Sequence, residues 1–464
     1  MKVLNRLLKL TPIAAVCIAG PALATNGYFS HGYGIKAKGM GGAATAMTSD
    51  TFGGANNPAG MVWVGGRFDF GVDLFMPKRS VSRQGSSGFG GAYDGTSESD
   101  SNAFLVPELG YSQLINPNLA LGVTVYGNGG MNTDYNPGLK GGAGAQAFAP
   151  SCQGAPANIL FGCGKLGVDL MQLIIAPTAS YKINANHSIG ISPLFAYQRF
   201  KVDGLQAFDE TLDMDGPGPA PSGTFTSSQG NVTNRGYDSS TGFGVRIGWL
   251  GKLSDTVSVG AAYSTRMRMS AFDKYKGLFA EGGDFDIPEN YNIGIVVKAT
   301  PKATVAFDIQ RINYSAVKSI GNGVSNSLLS MSGGSFPVAP NRLGDTNGSG
   351  FKWHDQTVYK VGGEFEYSNS LLLRAGYNYG KSPVRGDTID SVTFNILAPG
   401  VVEHHLTLGA TWTLANKSEL TLSYMHAFSN SVTGPSVTSL LGVGGTETLR
   451  MKQDALGIAY SIRF

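Results

Sequence analysis

Residues 456–464, Leu456-Gly457-Ile458-Ala459-Tyr460-Ser461-Ile462-Arg463-Phe464, alternate without interruption. Leu456, Ile458, Tyr460, Ile462 and Phe464 fall on one face of an extended chain, and Gly457, Ala459, Ser461 and Arg463 on the other. Successive side chains of a strand point to opposite faces, so the stretch reads as a strand with one apolar side and one small or polar side. About nine to eleven residues suffice for a tilted strand to cross a bilayer. The pattern recurs upstream in Phe68, Phe70, Val72, Leu74 and Met76, in Leu119, Leu121, Val123 and Val125, and in Phe243, Val245, Ile247 and Trp249. It returns in Val257, Val259, Ala261 and Tyr263, and in Leu371, Leu373, Ala375, Tyr377 and Tyr379.

Charge placement decides which face meets lipid. An Arg or Lys facing lipid at the bilayer midplane costs about 2–4 kcal/mol. Asp69, Asp73, Arg246, Arg266, Arg268 and Arg374 all alternate with the apolar rows, so that phase is expected to line a lumen. Composition agrees: charged residues are 14%, aromatics 10% and Gly 66 of 464, which would leave soluble domains with unusually uncharged surfaces. Past residue 24 no run of about 18 apolar residues offers a membrane helix.

Connectors alternate in length. Tight polar turns lie at 116–118, 184–186, 254–256, 301–302, 368–370 and 416–418, and Gly/Ser/Asn/Pro-rich stretches near 78–101, 128–168, 202–237, 271–287, 317–354, 382–402 and 429–451. Seven long loops and six tight turns require 14 strands. An even strand number with short periplasmic turns and long outer loops describes a bacterial outer-membrane barrel. The expectation is therefore an all-β fold, a 14-stranded antiparallel transmembrane barrel over residues 62–464, crossing the outer membrane many times. Trp63, Trp249 and Trp412 would then stand at the periplasmic interface.

Residues 1–24 carry Lys2, Arg6 and Lys9, an apolar run and Ala22-Leu23-Ala24, the pattern of a cleaved signal peptide. Without them 32 basic residues balance 32 acidic ones, which argues against a nucleic-acid partner. Cys152 and Cys163 would remain in an oxidising compartment, where a loop disulfide is expected and two free thiols are the alternative. No zinc-ligand spacing occurs, so no metal or other cofactor is expected.

Residues 25–61 lie outside the ladder of strands and loops. A barrel of this size is too wide for its wall side chains to fill, so a channel or a plug must occupy it. The stretch Gly39 to Met61, "GMGGAATAMTSDTFGGANNPAGM", with its Asn57-Pro58-Ala59 element, resembles the amino-terminal hatch of the FadL/TodX outer-membrane transporters of long-chain fatty acids and other hydrophobic compounds. The resemblance implies that residues 25–61 plug the lumen and move when ligand arrives. It also implies passive diffusion, with lateral exit through a wall opening at a kinked third strand. Here that strand begins near Leu119, and either Gly122 or the run Gly127-Asn128-Gly129-Gly130 could carry the kink. Gly53 and Gly54 permit unusual backbone states, while Pro58 pushes Asn57 toward an extended one. A disordered arm is the alternative.

A fatty-acid ligand needs an apolar tunnel and a cation for its head group. Arg246, Arg266, Arg268, Arg374 and Lys360 are the inward candidates, unless they instead pair with Asp50, Asp69, Asp73, Glu364 or Glu366. Leu205, Phe208, Leu212, Phe225, Leu278 and Phe279 fall in the third and fourth long loops, where the resemblance places a landing groove. Pro107, Pro177 and Pro193 each remove a ladder donor, making either a bulge or a weak point in the wall. Enzyme signatures are absent apart from His404 and His405, which evoke a barrel lipase without an identifiable serine. Uptake of aromatic hydrocarbons, an outer-membrane lipid-modifying enzyme and a structural or adhesive barrel are the competing functions. Expected partners are a hydrophobic small molecule, outer-membrane lipid and the barrel-assembly machinery reading Phe464, with the chain a monomer.

Overall fold

The computed structural model describes residues 26–86, 91–140, 145–213, 222–324, 339–441 and 444–464. The expected leader, residues 1–24, lies outside them. The wall comprises β1 (Arg67–Gln84), β2 (Phe104–Asn116), β3 (Leu119–Tyr135), β4 (Leu166–Lys182), β5 (His187–Asp203), β6 (Asp238–Lys252) and β7 (Val257–Ser264). It continues through β8 (Asn290–Thr300), β9 (Ala303–Ile312), β10 (Gln356–Ser368), β11 (Leu371–Gly380), β12 (His404–Thr413), β13 (Glu419–Pro435) and β14 (Thr446–Arg463). Each strand pairs antiparallel with the next in sequence, and β14 pairs with β1 from Arg67↔Arg463 to Gln84↔Thr446. The sheet is thus a closed 14-stranded barrel.

Closure follows from the solvent. A strand edge in hydrocarbon would leave N–H and C=O groups unpaired at several kcal/mol each, and a ring has no edge. The alternation seen in the sequence sorts the side chains across that ring. Leu456, Ile458 and Tyr460 are 51%, 50% and 39% exposed, whereas Ala455 and Ser461 are buried. Large apolar side chains on the outside of so regular a wall mark the face that lipid covers.

The wall is uneven in height. β1 and β14 run for 18 residues each, roughly 60 Å of chain, whereas β7 has 8. Pairing therefore continues well above the bilayer on one side. The loops expected from 78, 128 and 429 begin later, because the ladders persist to Gln84, Tyr135 and Pro435. The first strand also starts at Arg67 rather than residue 62. Pro58–Trp63 instead forms a 3-10 helix, with Pro at its start and the Asn57 side chain accepting from Ala59 N. At the outer end the loops pack against the top of β5 in an apolar cluster that includes Phe200 of that strand and the loop residues Phe208, Phe225, Phe279 and Phe394.

Two irregularities interrupt the ladders. Register shifts between Gly127 and Gly129 where β3 meets β4, while Gly122 stays in step opposite Thr178. Pairing between β4 and β5 stops at Ile175↔Phe195 and resumes at Ala179↔Ile191, leaving out Pro177 and Pro193. Proline has no N–H to contribute, so two facing prolines remove the rungs they flank.

Ile458 lies about 12 Å above the lower rim, near the bilayer centre. Ile458→Arg should therefore lower unfolding free energy in phospholipid vesicles by about 2–4 kcal/mol. Ile458→Leu should change it by less than about 1.5 kcal/mol, as urea titration followed by tryptophan fluorescence would show.

Candidate functional site

The amino-terminal segment, residues 26–64, runs through the bore, and its anchoring is electrostatic. Asp69, Asp73, Glu108, Asp308 and Glu419 project from wall strands into the interior, each at most 6% exposed. Buried carboxylates are tolerated only when charge or several donors meet them. Lys38 Nζ lies 3.0 Å from Asp73 and 3.3 Å from Glu108. Lys36 pairs with Glu419, which Arg67 also reaches at 2.7 Å while its Nε holds Asp69 at 2.8 Å. Asp69 also accepts from the Thr51 N–H and hydroxyl at 2.9 and 2.8 Å. Asp308 accepts from Ala44 N, Thr45 N and Thr45 Oγ1 at 2.7–2.9 Å. Burial opposes the charge on Lys38, yet Asp73 and Glu108 outweigh it and hold the ammonium above the ordinary lysine range. Burial, with the Asp69 carboxylate beside it, pushes the Asp50 carboxyl up to about 6.

Asn57, Pro58 and Ala59 stitch the segment to β4, β5 and β6. Asn57 Nδ2 donates to the carbonyls of Thr45 (2.8 Å) and Trp249 (2.9 Å). The Ala59 carbonyl accepts from Ser180 and Ser188 hydroxyls at 3.0 and 2.8 Å. The wall admits this contact because it carries glycine there: a Cβ on Gly248 would stand 2.0 Å from Asn57 Oδ1, and one on Gly190 2.3 Å from the Pro58 carbonyl carbon. Gly53 backs onto Met61, and Gly54 lies against the hydroxyls of Thr124 and Thr178.

Higher up, the segment joins the wall at the β3 irregularity. Ser30 N donates to Asn128 O and Gly130 N to Tyr28 O, both at 3.1 Å, and Phe29 bridges to Gly129. Tyr28 then sits in a ring cluster with Tyr314 (5.3 Å), Trp353 (5.8 Å) and Phe285 (6.2 Å).

The candidate cations divide. Arg246 is buried and donates to the carbonyls of Ala55 and Asn56 and to Asn290 Oδ1. Arg374 is held by Glu364 at 2.7 Å and by the Thr411 hydroxyl at 2.6 Å. Lys360 is buried beside its register partner Asp308 and has neither hydrogen bond nor ion pair among the described residues. Arg266 and Arg268 do not line the bore. β7 ends at Ser264, and through the break at 265–267 the phase inverts, so Met267 and Met269 turn inward and Arg268 is exposed. Arg266 binds the loop carboxylates Asp286 (2.6 Å) and Asp284 (3.4 Å) instead.

The six loop residues come together. Leu205, Phe208, Leu278 and Phe279 line one cavity with Phe200, Phe351 and Phe394, and its lining contains no charged side chain. Phe225 stacks near Phe208 at 5.8 Å, and Leu212 is buried in the same cluster. The cavity has room for only about 30 Å³, so a hydrocarbon could enter only if these side chains moved apart. Cys152 and Cys163, in the second long loop, are disulfide-bonded with Cα atoms 5.8 Å apart. His405, which the lipase alternative would need, stacks on His31 at 6.3 Å, and no side chain hydrogen-bonds to its ring nitrogens among the described residues.

Sequence reasoning missed Lys36, Lys38, Glu108, Asp308 and Glu419. The wall acids carried a signal, each being a charge on the inward phase of a strand. The two lysines carried none beyond their position in the segment.

The family described as outer membrane protein transport protein (OMPP1/FadL/TodX) matches residues 163–464. Comparison with curated proteins gives no match. Among solved structures, the Pseudomonas putida toluene transporter TodX is 17% identical, with TM-score 0.62 over 94% of this chain and 99% of that one. The Ralstonia pickettii toluene transporter TbuX is 17% identical, with TM-score 0.59 over 94% and 99%. A Pseudomonas aeruginosa FadL homologue is 16% identical, with TM-score 0.64 over 94% and 100%. At these identities the likeness is one of fold.

Lys38→Met leaves Asp73 and Glu108 buried without their cation and should cost about 3–5 kcal/mol, read as a lower urea midpoint in vesicles. In the outer loops, burial and the neighbouring Asp286 push Asp284 up to about 7. The folded loop therefore binds more proton than the unfolded one between about pH 4 and 7, and its stability falls as pH rises through that window. Hydrogen-exchange protection around residues 280–287, taken relative to the base-catalysed rate of the unfolded peptide at each pH, should weaken over the same range, and Asp284→Asn should flatten the dependence.

Proposed function

The chain belongs to the OMPP1/FadL/TodX family of outer-membrane transport proteins, and from that premise we propose that it passes hydrophobic small molecules by hatch-gated passive diffusion. Residues 25–61 are the hatch in this reading. The observation that carries it is a run of aromatic rings from the loop cavity to the segment in the bore. Phe279, in the cavity lining, lies 4.8 Å from Phe285, which lies 6.2 Å from Tyr28. Tyr28 is bonded in turn to the β3 irregularity at Gly130.

A ligand that wedges the cavity open must displace Phe279 and its neighbours, because close-packed rings transmit displacement rather than absorb it. Displacing Tyr28 removes the hatch's hold on the Asn128–Gly130 backbone, where the register shift already leaves Asn128 out of the pairing with β4. The wall would part there, and the molecule would leave sideways into lipid without crossing the polar bore below. Asn57, Pro58 and Ala59 keep the lower part of the hatch seated meanwhile.

Long-chain fatty acids or related lipids are the first ligand class, with Lys360 as the inward cation for a carboxylate head. Arg246 and Arg374 serve the fold, being engaged by hatch carbonyls and Glu364. A second reading, aromatic hydrocarbons, is favoured by the absence of charge in the cavity lining.

The test is uptake into liposomes, in a background with serine at Cys152 and Cys163. Ser30→Cys with Asn128→Cys, the neighbouring pair across the same contact, oxidised to lock the hatch onto β3, should reduce uptake of labelled oleate or toluene at least about tenfold, and reduction should restore it. Full uptake in the locked state would overturn the gating. Lys360→Met should slow oleate and spare toluene if acids are the ligand.

A further inference from the structure

The outward phase of β13, β14 and β1 changes character with height. From Phe68 to Met76 on β1, and from Ile462 up to Leu456 on β14, it is apolar or aromatic. Above that band come Lys78, Lys452 and Arg450, all exposed. They alternate with Pro77, Arg79, Met451 and Gln453, which are buried, and β1 pairs with β14 here without any shift of register, so the three cations point away from the bore. Lys452 lies roughly 36 Å of chain above Arg463, which at a tilt of about 40° is about 28 Å of height. An outer-membrane barrel carries an apolar band about 25 Å tall, so the cations stand at the outer headgroup level. Higher still the outward side chains are mainly hydroxyls: Ser80 and Ser82 on β1, Thr446 and Thr448 on β14, Ser431 and Thr433 on β13, with Thr433 bonded to Thr448 at 2.8 Å.

Lys78 and Lys452 are register partners, and Arg450 follows on the same face of β14. Like charges directly opposite one another on a sheet repel. The carboxylates nearby are engaged elsewhere. Asp454, within the field of Lys452, is held by His426 and by the Tyr424 hydroxyl, both at 2.8 Å, and Glu447 turns inward to Arg83. Glu98 faces outward beside Ser80 and binds none of the three. Among the described residues, Lys78, Lys452 and Arg450 have neither ion pair nor hydrogen bond. A continuous ladder fixes the two lysines face to face, and an anion placed between them turns their repulsion into attraction.

We propose that this face binds one phosphorylated glycolipid of the outer leaflet, of the lipopolysaccharide class. Its acyl chains lie along Leu74, Leu456 and Ile458, a phosphate is held by Lys78, Lys452 and Arg450, and its sugars rest against the hydroxyls above. The order of the three tiers selects the occupant. A glycerophospholipid has the tails and the phosphate but ends at the level of the cations, whereas the hydroxyl tier matches a head group built of sugars. The site does not depend on what passes through the bore.

The full chain, in mild detergent with EDTA to remove bridging divalent cations, would be titrated with a short-core lipopolysaccharide, with the same molecule dephosphorylated, and with phosphatidylglycerol, and examined by native mass spectrometry. One intact lipopolysaccharide should be retained with at least about tenfold preference over either of the others. Lys78→Gln, Arg450→Gln and Lys452→Gln together should remove that preference. Lys302→Gln with Lys417→Gln, which takes charge from the periplasmic turns, should preserve it. Unchanged heat-modifiable gel mobility would confirm that each variant still forms the barrel. A second readout turns on sign: Lys78→Gln alone should raise the urea midpoint in phosphatidylcholine vesicles, where it removes a repulsion, and lower it once lipopolysaccharide is present. Equal retention of the dephosphorylated form or of phosphatidylglycerol, undiminished retention by the triple variant, or a midpoint shift of the same sign with and without lipopolysaccharide would overturn the proposal.

Discussion

Everything in this molecule descends from the absence of water in the bilayer core. A strand there cannot leave its backbone groups unpaired, so the sheet must close on itself, and 14 strands close around a bore that their own side chains do not fill. Filling it with backbone would ordinarily bring the same penalty inward. The wall resolves this by carrying carboxylates on its inner phase, and the amino-terminal segment supplies lysines, hydroxyls and N–H groups to them. The plug is thus held by the polar half of the alternation whose apolar half holds the barrel in lipid.

Glycine sets how closely that plug can approach. Where Asn57 and Pro58 meet β5 and β6, the wall has no side chains on its inner face, and the two backbones touch. Near the same level the outer face is dented between Tyr181, Ile191, Trp249 and Tyr291, where the outward residues Ala179 and Ala261 are small.

The barrel was legible because a period of two is the least ambiguous pattern a sequence can carry, and the alternation of tight turns with long loops counts its strands. The inward charge of Asp69, Asp73, Arg246 and Arg374 could be read from the same phase. Arg266 and Arg268 could not, since extrapolating a phase assumes an unbroken strand, and the break at 265–267 inverts it. Lys36 and Lys38 left no trace in periodicity, because the helix that carries them, Ile35–Lys38, is a single turn and too short to set a period. The loop residues Leu205, Phe208, Leu212, Phe225, Leu278 and Phe279 were recognisable as apolar residues in polar surroundings. Their convergence across separate loops depends on contacts that no local pattern encodes.

The contact between Lys36 and Glu419 joins residues 383 positions apart. During biosynthesis the partner of Lys36 therefore arrives only with β13, the last strand of the ring but one, long after Asp73 and Glu108 have offered themselves to Lys38. Closing such a span carries a large loop entropy, and contacts of this range form late. Once β1 zips to β14, a segment left outside could enter only through the mouths of the cylinder. Assembly must hold the leading end within the nascent curve of strands, which makes the order of maturation, as much as the final energy, a property written into this topology.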